Sequence, residues 1–405
     1  MARMNSEFKP EDHQFKRVIF IGAGFSAGMR YPAGNTLTQR IMEYLQGEHH
    51  SPGIPEGDFT NSLSAKVLER QREKIGSAIL DFLKRYFGAS SQSIGKVSVA
   101  EFFTMAHSLA ETPSLFGLDE GEAYFDDVIE NGPVHARHLF NILACITRSY
   151  FLDLCQSVEY PADIDNFLDS IDPQRDAIIN FNWDEEVDIY LTSYPEGEVA
   201  YTLAAWHPPT KAEERYLLLR PHGSIGWYDI ICGIGNRWTY LIAEEDRRIH
   251  RSQKRIVAYP AIDWPKDLGS GKPFSKLACP PVITPPTFAK RFQYKEQHRI
   301  WSDVLDVCSK AREFVFLGYS LPPDDYLTRA AICSSLATPQ PEPAKCLVVG
   351  RNPVIVENFR RIFGDCLTSD KNFLRWEFGC DKVGLSRRIE NKLKKAVVTF
   401  ENSGA

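Results

Sequence analysis

No stretch of this 405-residue chain approaches the roughly 18 consecutive apolar residues that a membrane-spanning helix needs. The N-terminus, MARMNSEFKPEDHQFKR, lacks the apolar centre of an export signal. The nine cysteines stand singly, with no C-x-x-C pair. That excludes a four-cysteine zinc ribbon and fits reduced thiols in a cytoplasm better than a disulfide framework. A basic excess is missing too: 47 Lys and Arg face 53 Asp and Glu, for a formal charge of -6. Bulk charge therefore gives no hold on a polyanion, and no direct nucleic-acid binding is expected. What is present, 43% hydrophobic and 25% charged residues, is the composition of an ordinary globular protein large enough for one large or two modest domains.

The first organised element is RVIFIGAGFS, where Val18 to Ile21 form the continuous apolar run of a parallel strand buried on both faces. A helix is expected from about Asn35, with Leu37, Ile41, Tyr44 and Leu45 on one face and Asn35 or Thr36 as cap. Residues 46 to 171 read as a helical block inserted after that first strand and helix. Strand character returns at Ala177 to Phe181, Tyr216 to Leu219, Glu313 to Leu317 and Cys346 to Val349. A helix over 293 to 311 carries Ile300, Trp301, Val304, Leu305 and Cys308 on one side. Short apolar strands alternating with helices predict an α/β, Rossmann-like fold with a mostly parallel sheet and a helical insertion. The expected organisation is a tail over 1–16, one nucleotide-binding domain over 17–370 with the insertion at about 46–171, and a C-terminal helical segment over 371–405.

Each strand ends in small or polar residues, and open α/β sheets bind ligands outside the carboxyl ends of their strands. Gly22-Ala23-Gly24-Phe25-Ser26 follows the first strand, an imperfect version of the glycine turn that lets a pyrophosphate approach a helix N-terminus. The same glycines also suit a tight strand-to-helix turn with no ligand. Asn180, Asn182 and Asp184 alternate past the second strand, where Asp184 is equally a helix cap. His222-Gly223 ends another strand, and a histidine there suits a general base near neutral pH. His207 has no strand before it and reads as loop. Gly318 and Ser320 follow the strand at 313, with Asp324-Asp325 beyond them as a cap, and Asn352-Pro353 ends the last strand. The sequence GSGKP at 269 to 273 fails as a P-loop, because Lys266 and Pro273 occupy the positions of its first glycine and its Ser/Thr.

Taken in order, these motifs resemble the sirtuin family, and more narrowly its bacterial sirtuin-like NAD-hydrolysing branch in phage defence. The resemblance rests on Gly22-Ala23-Gly24-Phe25-Ser26 with Pro32, on Asn182-Trp183-Asp184, on His222-Gly223, on Gly318-Tyr319-Ser320 and on Asn352-Pro353. Departures from the deacylating members are equally specific. Gly34-Asn35 stands where they carry Phe-Arg, Arg30 replaces a glycine of the loop, and their four-cysteine zinc module has no counterpart. The resemblance implies an enzyme that cleaves NAD, as substrate, to nicotinamide and ADP-ribose, with no metal. It implies catalytic roles for Asn182 and His222. NAD contacts are implied for Gly22, Ala23, Gly24, Phe25, Ser26, Pro32, Asp184, Gly318, Ser320 and Asn352. It further implies a cytoplasmic homo-oligomer that depletes NAD in abortive infection beside a partner such as a HerA-type ring ATPase. A protein deacylase and a non-catalytic NAD or ADP-ribose sensor are the competing readings. Two segments suit docking: the basic stretch RRIHRSQKR at 247 to 255, and a terminal helix from Leu385 to Phe400 with Leu385, Ile389, Leu393, Ala396 and Val397 on one face. Each is equally an ordinary solvated or packed surface element.

Overall fold

The structure is a computed structural model that describes residues 15–46, 63–89, 93–111, 139–155, 158–193, 198–200, 215–229, 233–234, 237–238, 256–258, 281–284, 295–322, 325–337, 343–364, 367–380 and 382–398. They fall into two compact units, one within Met1–Tyr31, Glu159–Gly223 and Phe288–Ala405, the other within Pro32–Val158 and Ser224–Thr287. His207, GSGKP and RRIHRSQKR lie outside the described residues, as does Asp324.

The first unit is built on one eight-stranded sheet. Its strands are β1 (Arg17–Ile21), β2 (Asp176–Asn180), β3 (Glu198–Ala200), β4 (Arg215–Leu219), β5 (Glu313–Leu317), β6 (Ala344–Gly350), β7 (Phe373–Arg375) and β8 (Val397–Val398). The order is β7-β6-β5-β1-β2-β4-β3, with every pair along it parallel, while β8 joins β6 antiparallel. This is the expected Rossmann-like, mostly parallel α/β sheet. The strands β1, β2 and β5 are buried along their whole length, as their unbroken apolar runs require. Aromatic packing fixes the centre: Phe20 of β1 stacks on Phe316 of β5 at 4.5 Å, and Phe316 meets Phe359 of the helix Val356–Phe363 at 4.6 Å.

Charges line the opposite, amino-terminal edge of the same strands. Lys345, Glu313, Arg17 and Asp176 occupy paired positions on β6, β5, β1 and β2, so the signs alternate across four neighbours. Arg17 grips Asp176 with a two-point fork at 2.8 and 2.6 Å, and Lys345 donates to Glu313 at 3.1 Å. Arg175 donates to Glu313 at 2.9 Å, and Glu390 accepts from both Arg17 and Arg175 at 2.6 and 3.2 Å. Burial opposes ionisation of Glu313, but the Arg175 and Lys345 hydrogen bonds outweigh it and hold its carboxyl below the usual range.

The second unit contains the helices Gly34–Gln46, Leu63–Phe87, Val99–Glu111 and Leu139–Cys155. Ser98 and Glu101 form a capping box on the third: the Glu101 amide donates to the Ser98 hydroxyl at 3.1 Å, and the Ser98 amide donates back to the Glu101 carboxylate at 3.2 Å. Phe82 and Phe102 join two helices at 5.6 Å. A three-stranded sheet of Gly223–Asp229, Ile256–Ala258 and Pro281–Ile283 also belongs largely to this unit. The helix Ala162–Leu168, at the end of the expected helical block, belongs to the first unit.

Several local expectations are corrected. The helix expected from Asn35 starts at Gly34, and the Thr36 hydroxyl donates to the Ala33 carbonyl instead of capping. In the helix Lys295–Lys310, Leu305 is 42% exposed and Val307 takes the core position. The terminal helix stops at Leu393, so Val397 lies exposed in β8 while Leu385, Ile389, Leu393 and Ala396 are buried. The segment after 371 is thus part helix and part strand. Among the described residues no helix is long and apolar enough to cross a membrane.

Candidate functional site

The carboxyl ends of the central strands are level. Ile21 pairs with Leu317 and with Asn180, Ile179 with Leu219, and Leu317 with Val349. From β1 the chain goes on to β2 on one side, and later returns to β5 on the other. A topological switch point therefore lies between β1 and β5, the place where such sheets bind ligands.

At that point two loops lock together. The Gly22 and Gly24 amides donate to the carbonyls of Leu317 and Gly318 at 3.0 and 2.9 Å. A Cβ on Gly22 would come within 2.7 Å of the Tyr319 backbone, and one on Gly24 within 2.9 Å of Gly318. Gly318 itself sits at φ +59 against the Gly24–Phe25 backbone, so glycine is required on both sides of the contact. The loop ends at Arg30, which adopts a left-handed φ of 70 and is exposed; this is the position where the resemblance calls for glycine.

Asn182 binds this loop from β2. Its Nδ2 donates to the Ser26 hydroxyl at 2.7 Å and to the Gly22 carbonyl at 3.1 Å, while its own amide donates to Asn180 Oδ1 at 3.0 Å. Both Nδ2 protons are committed, which fixes the orientation of the amide and leaves Oδ1 as its acceptor. Ser26 also hydrogen-bonds Asp184, whose Oδ1 accepts the Glu186 amide at 3.3 Å. Burial, helped by the neighbouring Glu186, raises the Asp184 carboxyl to about 6 against the pull of Arg220 and Ser26. Glu186 accepts hydrogen bonds from the hydroxyls of Tyr31 and Tyr160.

His222 ends the turn after β4. That turn is closed by the Gly223 amide donating to the Arg220 carbonyl at 3.0 Å, with Pro221 between them and Gly223 at φ 73. The imidazole, 5% exposed, packs on Phe181 at 4.9 Å, and Phe181 stacks on Tyr319 at 4.5 Å. Its Nε2 lies 3.8 Å from Asp325 Oδ2, which also accepts from the Tyr319 hydroxyl. A carboxylate at that distance stabilises the imidazolium that forms when His222 takes up a proton.

The structure thus joins Gly22, Gly24, Ser26, Asn182, Asp184 and Gly318 in one bonded cluster. Phe25 is fully buried, its ring edge-on to Phe167 and Phe378 at 6.2 and 5.2 Å. Ala23 is partly exposed, Ser320 is exposed, and Asn352 is an exposed cap accepting the Val354 amide at 3.0 Å. Pro32 belongs to the second unit. Two residues with a place in the site are not among the expected site residues: Arg220, and Asp325, expected only as half of a helix-capping acid pair. Their signal was burial of charge, which sequence spacing does not reveal.

Asn180 Nδ2, fully buried, has no acceptor among the described residues, and Asn182 Oδ1, Asp184 and His222 offer polar groups nearby in the chain or the network. The Gly22 and Gly24 amides are already committed to the Leu317 and Gly318 carbonyls, so neither N–H is open to a pyrophosphate. Among the described residues no group of three His, Cys, Asp or Glu side chains is placed to hold a metal.

No family model matches the chain, and no curated protein matches it in sequence. One solved structure, described as "Structural Basis for the Mechanism and Regulation of Sir2 Enzymes", aligns over 94% of this chain and 92% of its own at 12% identity and a TM-score of 0.30. A superposition that loose says nothing about the reaction.

Proposed function

We propose that the chain hydrolyses NAD to nicotinamide and ADP-ribose. The observation that supports this best is the Asn182 amide. It is held by Ser26 and Gly22, residues about 160 positions away in sequence, which ties the loop after β2 to the glycine loop after β1 at the switch point. Breaking a nicotinamide–ribose bond passes through an oxocarbenium-like state, so the site must hold the ribose and deliver water. Asn182 Oδ1 suits the acceptor for a water or ribose hydroxyl proton. His222 takes that proton as general base, with Asp325 balancing the charge it gains. Water supplies the new C–O bond, nicotinamide leaves with the electrons of the C–N bond, and one proton passes to solvent. Asp184 is assigned to the nicotinamide side, and its hydrogen bond with Ser26 ties it to the glycine loop.

In the same reading the activity serves cytoplasmic NAD depletion in phage defence, carried out by a homo-oligomer with a ring-forming ATPase of the HerA type. The support for that context is the set of motifs alone. The test of the reaction is chromatography of NAD after incubation with the purified chain, with and without an acetylated peptide. Nicotinamide and ADP-ribose formed without the peptide support hydrolysis; peptide-dependent turnover supports the deacylase instead.

A further inference from the structure

The geometry points to Arg220 as the positioning residue of this site, a clamp that holds the Asn182–Asp184 loop in the shape that presents both side chains to Ser26. Arg220 is fully buried directly after β4. Its Nη1 donates to the Asn182 carbonyl at 2.9 Å and its Nη2 to the Asp184 carbonyl at 2.7 Å. The rest of the fork engages Asp188, with Nε donating to Oδ1 at 3.0 Å and Nη2 to Oδ2. Asp188 lies in the helix Glu186–Ser193, so one guanidinium ties together both ends of the connection between β2 and that helix.

The loop carbonyls at 182 and 184 have neither a ladder nor a helix to satisfy them, and burying them unpaired is costly. A planar fork can serve two carbonyls and a carboxylate at once; an ammonium, a single point of charge, cannot match that geometry. The position in sequence matters as much. Arg220 opens the turn that carries His222, so the same side chain fixes the strand end bearing the base to the loop bearing Asn182. Its charge, paired with Asp188, also lowers the Asp184 carboxyl against burial.

The activity arm of the test rests on the NAD-hydrolase reading; the exchange arm does not. Two variants are compared with the parent: Arg220→Lys, and Arg220→Met combined with Asp188→Leu. The second replaces a buried ion pair by apolar groups, a change that often preserves folding while it removes both carbonyl donors. The readouts are thermal unfolding, hydrogen exchange at amides 181–186, and kcat and KM for NAD. With cooperative unfolding retained, exchange at 181–186 should quicken at least about ten-fold. In the same variants kcat should fall about 10²-fold, the scale of a misplaced reacting group, with KM little changed. Parental exchange rates, or faster exchange with parental kcat, overturn the proposal. Loss of folding in both variants also overturns it, since Arg220 would then be only a core residue. A parent that does not cleave NAD defeats the functional reading, and the exchange arm still decides for Arg220.

Discussion

Asn182 has spent both its amide protons inside the protein, and that makes its substitution informative. Asn182→Ala removes the acceptor Oδ1 and unties Ser26, and His222→Ala removes the base. Each should lower NAD turnover by about 10² or more, the scale of a lost acid–base group, in a chromatographic assay. Asp184 gives a second residue-scale prediction. Its folded-state carboxyl sits at about 6, above its ordinary 3.8. Between those values the folded chain holds the extra proton, so stability falls as pH rises from about 4 to about 6. The raised value corresponds to about 3 kcal/mol at most, lost by pH 7. Urea unfolding at pH 4.5 and 7.5 checks this: Asp184→Asn should flatten that part of the profile, and an unchanged slope would remove Asp184 as its source. Of these residues, Asn182, Asp184 and His222 were legible in the sequence because each follows an apolar strand. Asp325 and Arg220 were not, since only the fold brings Asp325 up to His222 and turns Arg220 into the loop beyond β2.

The elements themselves were readable wherever one physical pattern acted alone. β1, β2, β4, β5 and β6 all stand within two residues of their apolar runs, because strands buried on both faces need such runs. The terminal segment misled because Val397 continues a helical spacing, whereas pairing with β6 draws it into a strand. The charge ladder at the amino-terminal edge escaped notice for a related reason. Arg17, Asp176, Glu313 and Lys345 are far apart in sequence and become neighbours only through strand register. That ladder predicts a large effect. Asp176→Ala leaves Arg17 buried without its fork and should cost about 3–5 kcal/mol in urea unfolding, the usual penalty for breaking a buried pair. Glu313, held low by Arg175 and Lys345, works in the opposite direction to Asp184. Its contribution is present above its ordinary carboxylate range and is lost as pH falls through its lower folded value.

For the whole molecule, the functional reading joins a parallel sheet, one switch point and one bonded cluster into a single reaction. It also carries expectations about composition and assembly. Elemental analysis of the purified protein should find no stoichiometric zinc, since no cysteine pair has ligand spacing, and one zinc per chain would revive the deacylase. Light scattering at micromolar concentration should report an oligomer, and a monomer there would remove self-assembly from the proposal. The central claim is the reaction, and one measurement reaches it most directly: chromatography of NAD incubated with the parent chain and with Asn182→Ala and His222→Ala, alone and with a ring ATPase of the proposed HerA type. The account predicts nicotinamide and ADP-ribose in equal amounts from the parent, and a loss of about 10² or more in both variants. NAD left intact by the parent under both conditions, or equal turnover by all three proteins, would contradict it.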